Sequence, residues 1–282
     1  MVNVNESKCI GCGDCTEVCS FGALEVADGT VMFKEGSTCN ECGHCAAICP
    51  TDAISVAGAY DPSDAVLYEQ EKFSLSPEIF LNALKFRRSA REFKNTEIPE
   101  EKLNAILEAG GDSPNASNRQ QLKYIVLGKK AAEETCRLAH SIFKAATDDI
   151  EHREEYIQKY FKGIPRYYDV WIPKCKNYFE KGIDQLFYNA PCVIIMAAKK
   201  DDPWAVKDSS IAYGNMDMMA NVLGLGTCFI GMFELAGSVD RKLYDYIGIK
   251  EDETPLVTFV LGEPRVKYLR TAVRKKLDLT IK

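Results

Sequence analysis

From residue 76 to the C-terminus, apolar residues recur in two patterns. Three short, nearly continuous apolar runs, KYIVLG (123–128), CVIIMAA (192–198) and PLVTFVLGEP (255–264), have the length and composition of buried strands. Before and between them lie stretches with helical spacing. IFLNALKF follows Ser76-Pro77, which serve as N-cap and first helical position. IPEEKLNAILEAGG opens on proline and acids and closes on a glycine pair. DSSIAYGNMDMMANVLGLG has a polar start, apolar residues near a helical period and terminal glycines. Helices alternate with strands, so a sheet covered by helices is predicted. The first 58 residues differ, with short loops and little room for a core. Residues 59–75, with the turn residues Asp61-Pro62-Ser63, read as a linker to a second domain spanning 76–282.

Composition narrows the classes. With 282 residues the chain is long enough for two domains. A hydrophobic fraction of 46%, a charged fraction of 27% and a net charge of −6 describe a globular protein and argue against wholesale nucleic-acid binding. No apolar stretch is long enough to span a bilayer, and the N-terminus lacks a signal-peptide pattern, so a cytoplasmic location is expected. In that reducing compartment, twelve cysteines read as metal ligands rather than a disulfide framework.

Eight of the twelve lie in two copies of C-x2-C-x2-C-x3-C: Cys9, Cys12, Cys15 and Cys19, then Cys39, Cys42, Cys45 and Cys49. Pro50 completes the second copy, whereas Ser20 stands at that place in the first. A pair of zinc sites is the competing reading, but zinc ribbons have no need of a third close cysteine. Residues 1–58 resemble a two-cluster bacterial-type ferredoxin. The resemblance implies two [4Fe-4S] clusters with exchanged fourth ligands: Cys9, Cys12, Cys15 and Cys49 on one, Cys39, Cys42, Cys45 and Cys19 on the other. His44, beside Cys42, is expected to be a bystander, because four thiolates are already available to each cluster. The metal is expected to supply much of this domain's stability.

The second domain has no G-x-G-x-x-G after a strand and no Walker A loop; Gly224-Leu225-Gly226 follows a helix. None of the three histidines belongs to a nucleophile motif. What stands out is FRRSAREF, where Arg87, Arg88 and Arg91 surround Ser89, a donor set suited to a phosphate dianion. An exposed basic helix end is the alternative. With DSPNASNRQQ, GLGTCFIGMF and LGEPRVKYLRTAVRK in the same order, residues 76–282 resemble the nitroreductase family of FMN enzymes. A ferredoxin domain ahead of such a domain suggests an anaerobe's enzyme.

That resemblance implies an α+β fold and a homodimer with FMN at the subunit interface. Arg87 and Ser89, with Arg88 beside them, correspond to FMN-phosphate contacts, and Arg91 to a basic residue near the ribityl and pyrimidine side. Asn115, Ser117 and Asn118 match a stretch approaching the flavin from the partner subunit, although Gln121 and Leu122 replace the frequent proline and tryptophan. Gly231 and Met232 match a segment running past the flavin's N5. Arg274 is the candidate second phosphate ligand, with Arg270 and Lys275 as alternatives. Aromatics within 155–188 either line a flat pocket over the flavin or pack a helical lid, the lid being favoured. No side chain is expected to act as catalytic acid or base, since the cofactor carries the chemistry. The implied function is an FMN-dependent oxidoreductase relaying electrons from the clusters to FMN and on to a small electron-poor acceptor, such as a nitroaromatic, quinone or activated alkene. Electrons enter from a low-potential donor protein, the favoured source, or from NAD(P)H. A non-catalytic electron carrier and a redox sensor are the competing classes.

Overall fold

The second cysteine run begins thirty residues after the first, and the chain around them folds as two matching halves. The computed structural model describes residues 2–57, 63, 65–149 and 151–282. It divides into one unit of Met1–Leu75 with Asn115–Gln120 and another of Ser76–Pro114 with Gln121–Lys282.

In the first unit, β1 (Val2–Val4), α1 (Asp14–Glu17) and β2 (Leu24–Ala27) are followed by β3 (Thr30–Phe33), α2 (His44–Ala47) and β4 (Ile54–Val56). The strands form two antiparallel pairs, β1 with β4 and β2 with β3. Each single-turn helix starts behind a left-handed glycine, Gly13 at φ 85° and Gly43 at φ 73°. Val2, Leu24, Val31, Ala46, Ile54 and Val56 make a small core that Cys15 and Cys45 complete. Gly11 is required by close approach: a Cβ there would lie 2.3 Å from the Gly29 carbonyl oxygen. Within the expected linker, residues 59–62 and 64 lie outside the described residues, Asp61 and Pro62 among them. Gln70–Phe73 forms one further helical turn, α3.

The second unit begins with α4 (Pro77–Phe86), where Ser76 Oγ accepts a hydrogen bond from the Ile79 N–H at 3.4 Å. It continues through α5 (Glu100–Gly111), β5 (Lys123–Gly128), α6 (Lys129–Asp148), α7 (Arg153–Phe161), α8 (Pro165–Lys181) and β6 (Cys192–Lys199). The last elements are α9 (Ala205–Val222), β7 (Gly226–Phe229), α10 (Gly231–Val239), α11 (Lys242–Tyr246) and β8 (Glu253–Gly262). The sheet runs β5-β6-β8-β7 with every neighbour antiparallel, which makes the unit α+β.

β6 is buried on both faces, which accounts for its unbroken apolar run. Val193, Ile195 and Ala197 face a core shared with α6, α7, α8 and α10. Cys192, Ile194 and Met196 face a second core holding Ile106 of α5 and Ala212, Met216 and Ala220 of α9. α5 ends at the expected glycine pair, and Gly110 is also a packing position: a Cβ there would sit 2.8 Å from Met216 Sδ.

Candidate functional site

The two cysteine runs meet in the core of the first unit. Burial pushes the Cys15 thiol up to about 11, and the charges of Cys45, Cys12 and Cys49 add to that rise. Cys45 is likewise raised by burial, with Cys42 and Cys39 contributing. The charges acting on Cys15 thus come from both runs, from Cys12 of its own and from Cys45 and Cys49 of the other. The fourth cysteines are held alike: Ala23 N–H donates to Cys19 Sγ at 3.3 Å and Ala53 N–H to Cys49 Sγ at 3.2 Å. Backbone N–H groups aimed at ligand sulfurs suit a thiolate carrying cluster charge. His44 Nδ1 lies 2.9 Å from Cys42 Sγ, beside a ligand sulfur.

In the second unit, residues 87–91 leave the end of α4 and run along β7. Ser89 forms a parallel bridge with Thr227, and Ala90 N–H donates to the Thr227 carbonyl at 2.8 Å. This contact sets Arg87, Arg88, Ser89 and Arg91 around a cavity of about 360 Å³ whose remaining walls are Tyr268 and Arg274. Arg270 and Lys275 are not among its lining residues. Arg87 Nε pairs with Asp217 Oδ2 of α9 at 3.0 Å, and Thr227 Oγ1 donates to Asp217 Oδ1 at 2.5 Å. Burial raises the Asp217 carboxyl, while Thr227 and Arg87 hold it back. Tyr213 and Thr227 share a further hydroxyl contact at 3.3 Å. The Arg88 guanidinium stands 5.7 Å from the centre of the Tyr268 ring. Burial would lower Arg91, but Cys228 and Tyr188 beside it raise it overall. Lys174 of α8 is lowered by burial and by Arg91, which places a further cation near this edge.

Four guanidinium groups and a hydroxyl facing one open cavity are the chemistry of a phosphate cradle, so the donor set fits the phosphate end of a flavin mononucleotide. Asp217, Thr227, Tyr268 and Lys174 were not legible as site residues; an acid in mid-helix and a threonine in a short strand carry no local signal. Gly231 begins α10 and Met232 is its second residue, buried; neither lines the arginine cavity. Asn115, Ser117 and Asn118 are not in that cavity either. They belong to the first unit, in a single 3-10 turn with Ser117 and Asn118 both at φ 53°. Asn118 Nδ2 donates to the Glu41 carbonyl at 2.9 Å, between Cys39 and Cys42. The aromatic-rich segment mostly packs a helical layer. Tyr160, Phe161 and Tyr168 are buried, and Phe161 stacks on Phe143 of α6 at 5.5 Å.

A four-stranded antiparallel sheet between helices, with an arginine cradle where the chain joins β7, defines an α+β protein built to hold a phosphate-bearing cofactor. Residues 84–263 match the model of the nitroreductase family, and residues 8–53 match a 4Fe-4S dicluster domain. The chain belongs to the nitroreductase family and carries a 4Fe-4S dicluster domain ahead of its family domain. A Staphylococcus epidermidis protein classed with the NAD(P)H nitroreductases is 26% identical over 171 residues, covering 56% of this chain and 75% of its own. A nitroreductase structure with bound FMN from Bacteroides fragilis is similar at a TM-score of 0.55 and 23% identity, over 72% of this chain and 97% of that one. An FMN-bound nitroreductase from Desulfitobacterium hafniense gives the same TM-score, identity and coverage. These likenesses show the fold.

Proposed function

We propose that this chain is an FMN-dependent oxidoreductase in which residues 1–58 hold two [4Fe-4S] clusters, 59–75 link, and 76–282 bind FMN. The acceptor is a small electron-poor molecule: a nitroaromatic, quinone or activated alkene. The observation that carries the reading is the convergence of Arg87, Arg88, Ser89, Arg91 and Arg274 on one cavity, with Arg87 braced by Asp217. When bound, the clusters would carry electrons singly and FMN would take one or two, so the pair couples a one-electron source to a two-electron reduction.

The chain's own residues supply binding and position. Arg87, Arg88, Ser89 and Arg274 would neutralise and orient the phosphate, and Asp217 and Thr227 keep Arg87 pointed at it. Arg91, on the same wall, would set positive charge toward the ribityl and pyrimidine side, favouring an anionic reduced ring. Gly231 and Met232, at the start of α10, present backbone N–H groups left free by the helix. Asn115, Ser117 and Asn118 would meet the flavin of the partner subunit. Asn118 is also hydrogen-bonded to the Glu41 carbonyl, between Cys39 and Cys42. Electrons would arrive at the clusters from a low-potential donor protein rather than from NAD(P)H.

Assembly as a homodimer, with FMN between subunits, is part of this reading. α4 has no buried residue and exposes Ile79, Phe80, Leu81, Leu84 and Phe86. The C-terminal segment forms no helix or strand beyond Gly262 and exposes Val273, Leu277 and Ile281. Such apolar surface in one polypeptide calls for a cover.

Iron, acid-labile sulfide and FMN should be measured on anaerobically purified protein. The reading expects about eight irons with matching sulfide and one FMN per chain. Mixing with a reduced low-potential donor should then bleach the clusters before the flavin, followed by turnover when a nitroaromatic or quinone is added. Full clusters without flavin would remove the reductase and leave an electron carrier.

A further inference from the structure

On the far side of the sheet from α5 and α9, α6 carries Cys136 and His140 one turn apart on a single face. Asp184 stands opposite, in the loop between α8 and β6. Among the described residues, the ligating atoms of these three side chains lie within 4.8 Å of one another. We propose that Cys136, His140 and Asp184 form a buried zinc site that ties α6 to the loop between α8 and β6.

The first support is an unpaired group. His140 is 1% exposed, yet neither ring nitrogen has a hydrogen-bond partner. A phenylalanine there would carry no such cost, whereas an imidazole keeps two polar nitrogens that burial leaves unsatisfied. Its ring is fixed by stacking on Tyr178, with centroids 4.1 Å apart, so both nitrogens are held in place rather than free to turn to solvent.

The second support is spacing. A tetrahedral zinc ion with one sulfur and lighter ligands sets neighbouring donor atoms about 3.5 Å apart. The Cys136 thiol already donates to Asp184 Oδ1 at 3.3 Å, which is such an edge. The carboxylate is also oriented from behind. Oδ1 accepts from the N–H groups of Leu186 at 2.8 Å and Phe187 at 2.9 Å, and Oδ2 from Asn189 N–H at 2.8 Å. Backbone donors of this kind hold a metal ligand in position.

The third support is charge. The Cys136 thiol carries the proton that it donates to Asp184 Oδ1. Binding Zn²⁺ would displace that single proton to solvent. One dication, one thiolate and one carboxylate then sum to zero, and no net charge is left in the interior. Sulfur, nitrogen and oxygen donors together suit zinc better than magnesium or calcium.

The test uses the full chain with clusters and flavin in place, loaded with one equivalent of Zn²⁺ and exhaustively dialysed. Zinc is counted by mass spectrometry and its shell read at the zinc K-edge, where the cluster iron is silent. The proposal expects about one zinc per chain, with one sulfur near 2.3 Å and two or three lighter donors near 2.0–2.1 Å. Cys136→Ala and His140→Phe, the latter keeping the ring stack on Tyr178, should each lose the zinc while iron and FMN contents hold. Absence of zinc in the wild-type protein would overturn the proposal. So would retention of zinc by both variants, or an all-sulfur shell, which would mean an ion displaced into the cysteine runs. Should either variant fail to fold, the wild-type shell alone decides.

Discussion

Arg87 and Arg274 face the same cavity from different surroundings, and the difference separates binding from stability. Arg274 comes from an exposed stretch without regular structure, so Arg274→Ala should cost only flavin affinity. A lost charge-assisted phosphate contact of about 1.5–3 kcal/mol weakens FMN binding roughly ten- to a hundredfold, measurable by flavin fluorescence titration. Arg87→Ala should weaken binding similarly and also lower the melting temperature of the flavin-free protein, because it strands the largely buried Asp217. Equal melting temperatures for the two variants would sink the bracing role of Asp217. Glu234, in the first turn of α10, provides a pH signature. Burial raises its carboxyl to about 7 from 4.5, and its Oε1 has no hydrogen-bond partner. The folded state keeps a proton that the unfolded chain releases. The resulting stability is complete below about pH 4.5 and is lost as pH rises to about 7, on the order of 3 kcal/mol in all. Glu234→Gln should flatten that fall in unfolding free energy across the same window. A parallel decline in both proteins would refute the assignment.

At the scale of elements, the cavity depends on how closely residues 87–91 lie against β7. A Cβ on Gly226 would meet Ala90 Cβ at 2.7 Å and Pro264 Cγ at 2.8 Å, so only glycine permits the approach. Gly226→Ala should push the arginine segment outward, destabilise the fold by about 1–3 kcal/mol and weaken FMN binding without touching a ligand. Normal affinity in a destabilised variant would show that the cradle does not rely on this contact. The elements themselves were largely legible. Ser76-Pro77, the apolar runs of β5, β6 and β8 and the helical spacing of α9 are local signals, and each appears where it was expected. The packing role of Gly110 was not, because it is set by Met216 on another helix. The pairing order β5-β6-β8-β7 was equally hidden, since apolar runs carry no record of their partners.

For the whole molecule, the small core of the first unit implies that its clusters hold it together. Removing iron with a chelator under reducing conditions should make residues 1–75 susceptible to protease while the second unit, with two cores of its own, resists. Comparable protection of both units after complete iron loss would contradict this. Exchanged ligation is tested by pairs of substitutions. Cys12→Ser with Cys49→Ser strikes one cluster and should leave about half the iron, whereas Cys12→Ser with Cys42→Ser strikes both and should leave almost none.

The sequence by itself determined the two cysteine runs of a 4Fe-4S dicluster domain and the arginine-serine motif. Those features are short-range: three cysteines on one loop, or three arginines around one serine, are chemically committed before folding begins. Only the tertiary structure decided that Arg274, rather than Arg270 or Lys275, lines the cavity. It alone brought Asp217 to Arg87, placed Asn118 against the loop of Cys39 and Cys42, and joined Cys136 and His140 to Asp184. Each of those contacts joins residues far apart in the chain, and which distant residues meet is settled by the packing of helices on both faces of a sheet, which no local pattern encodes.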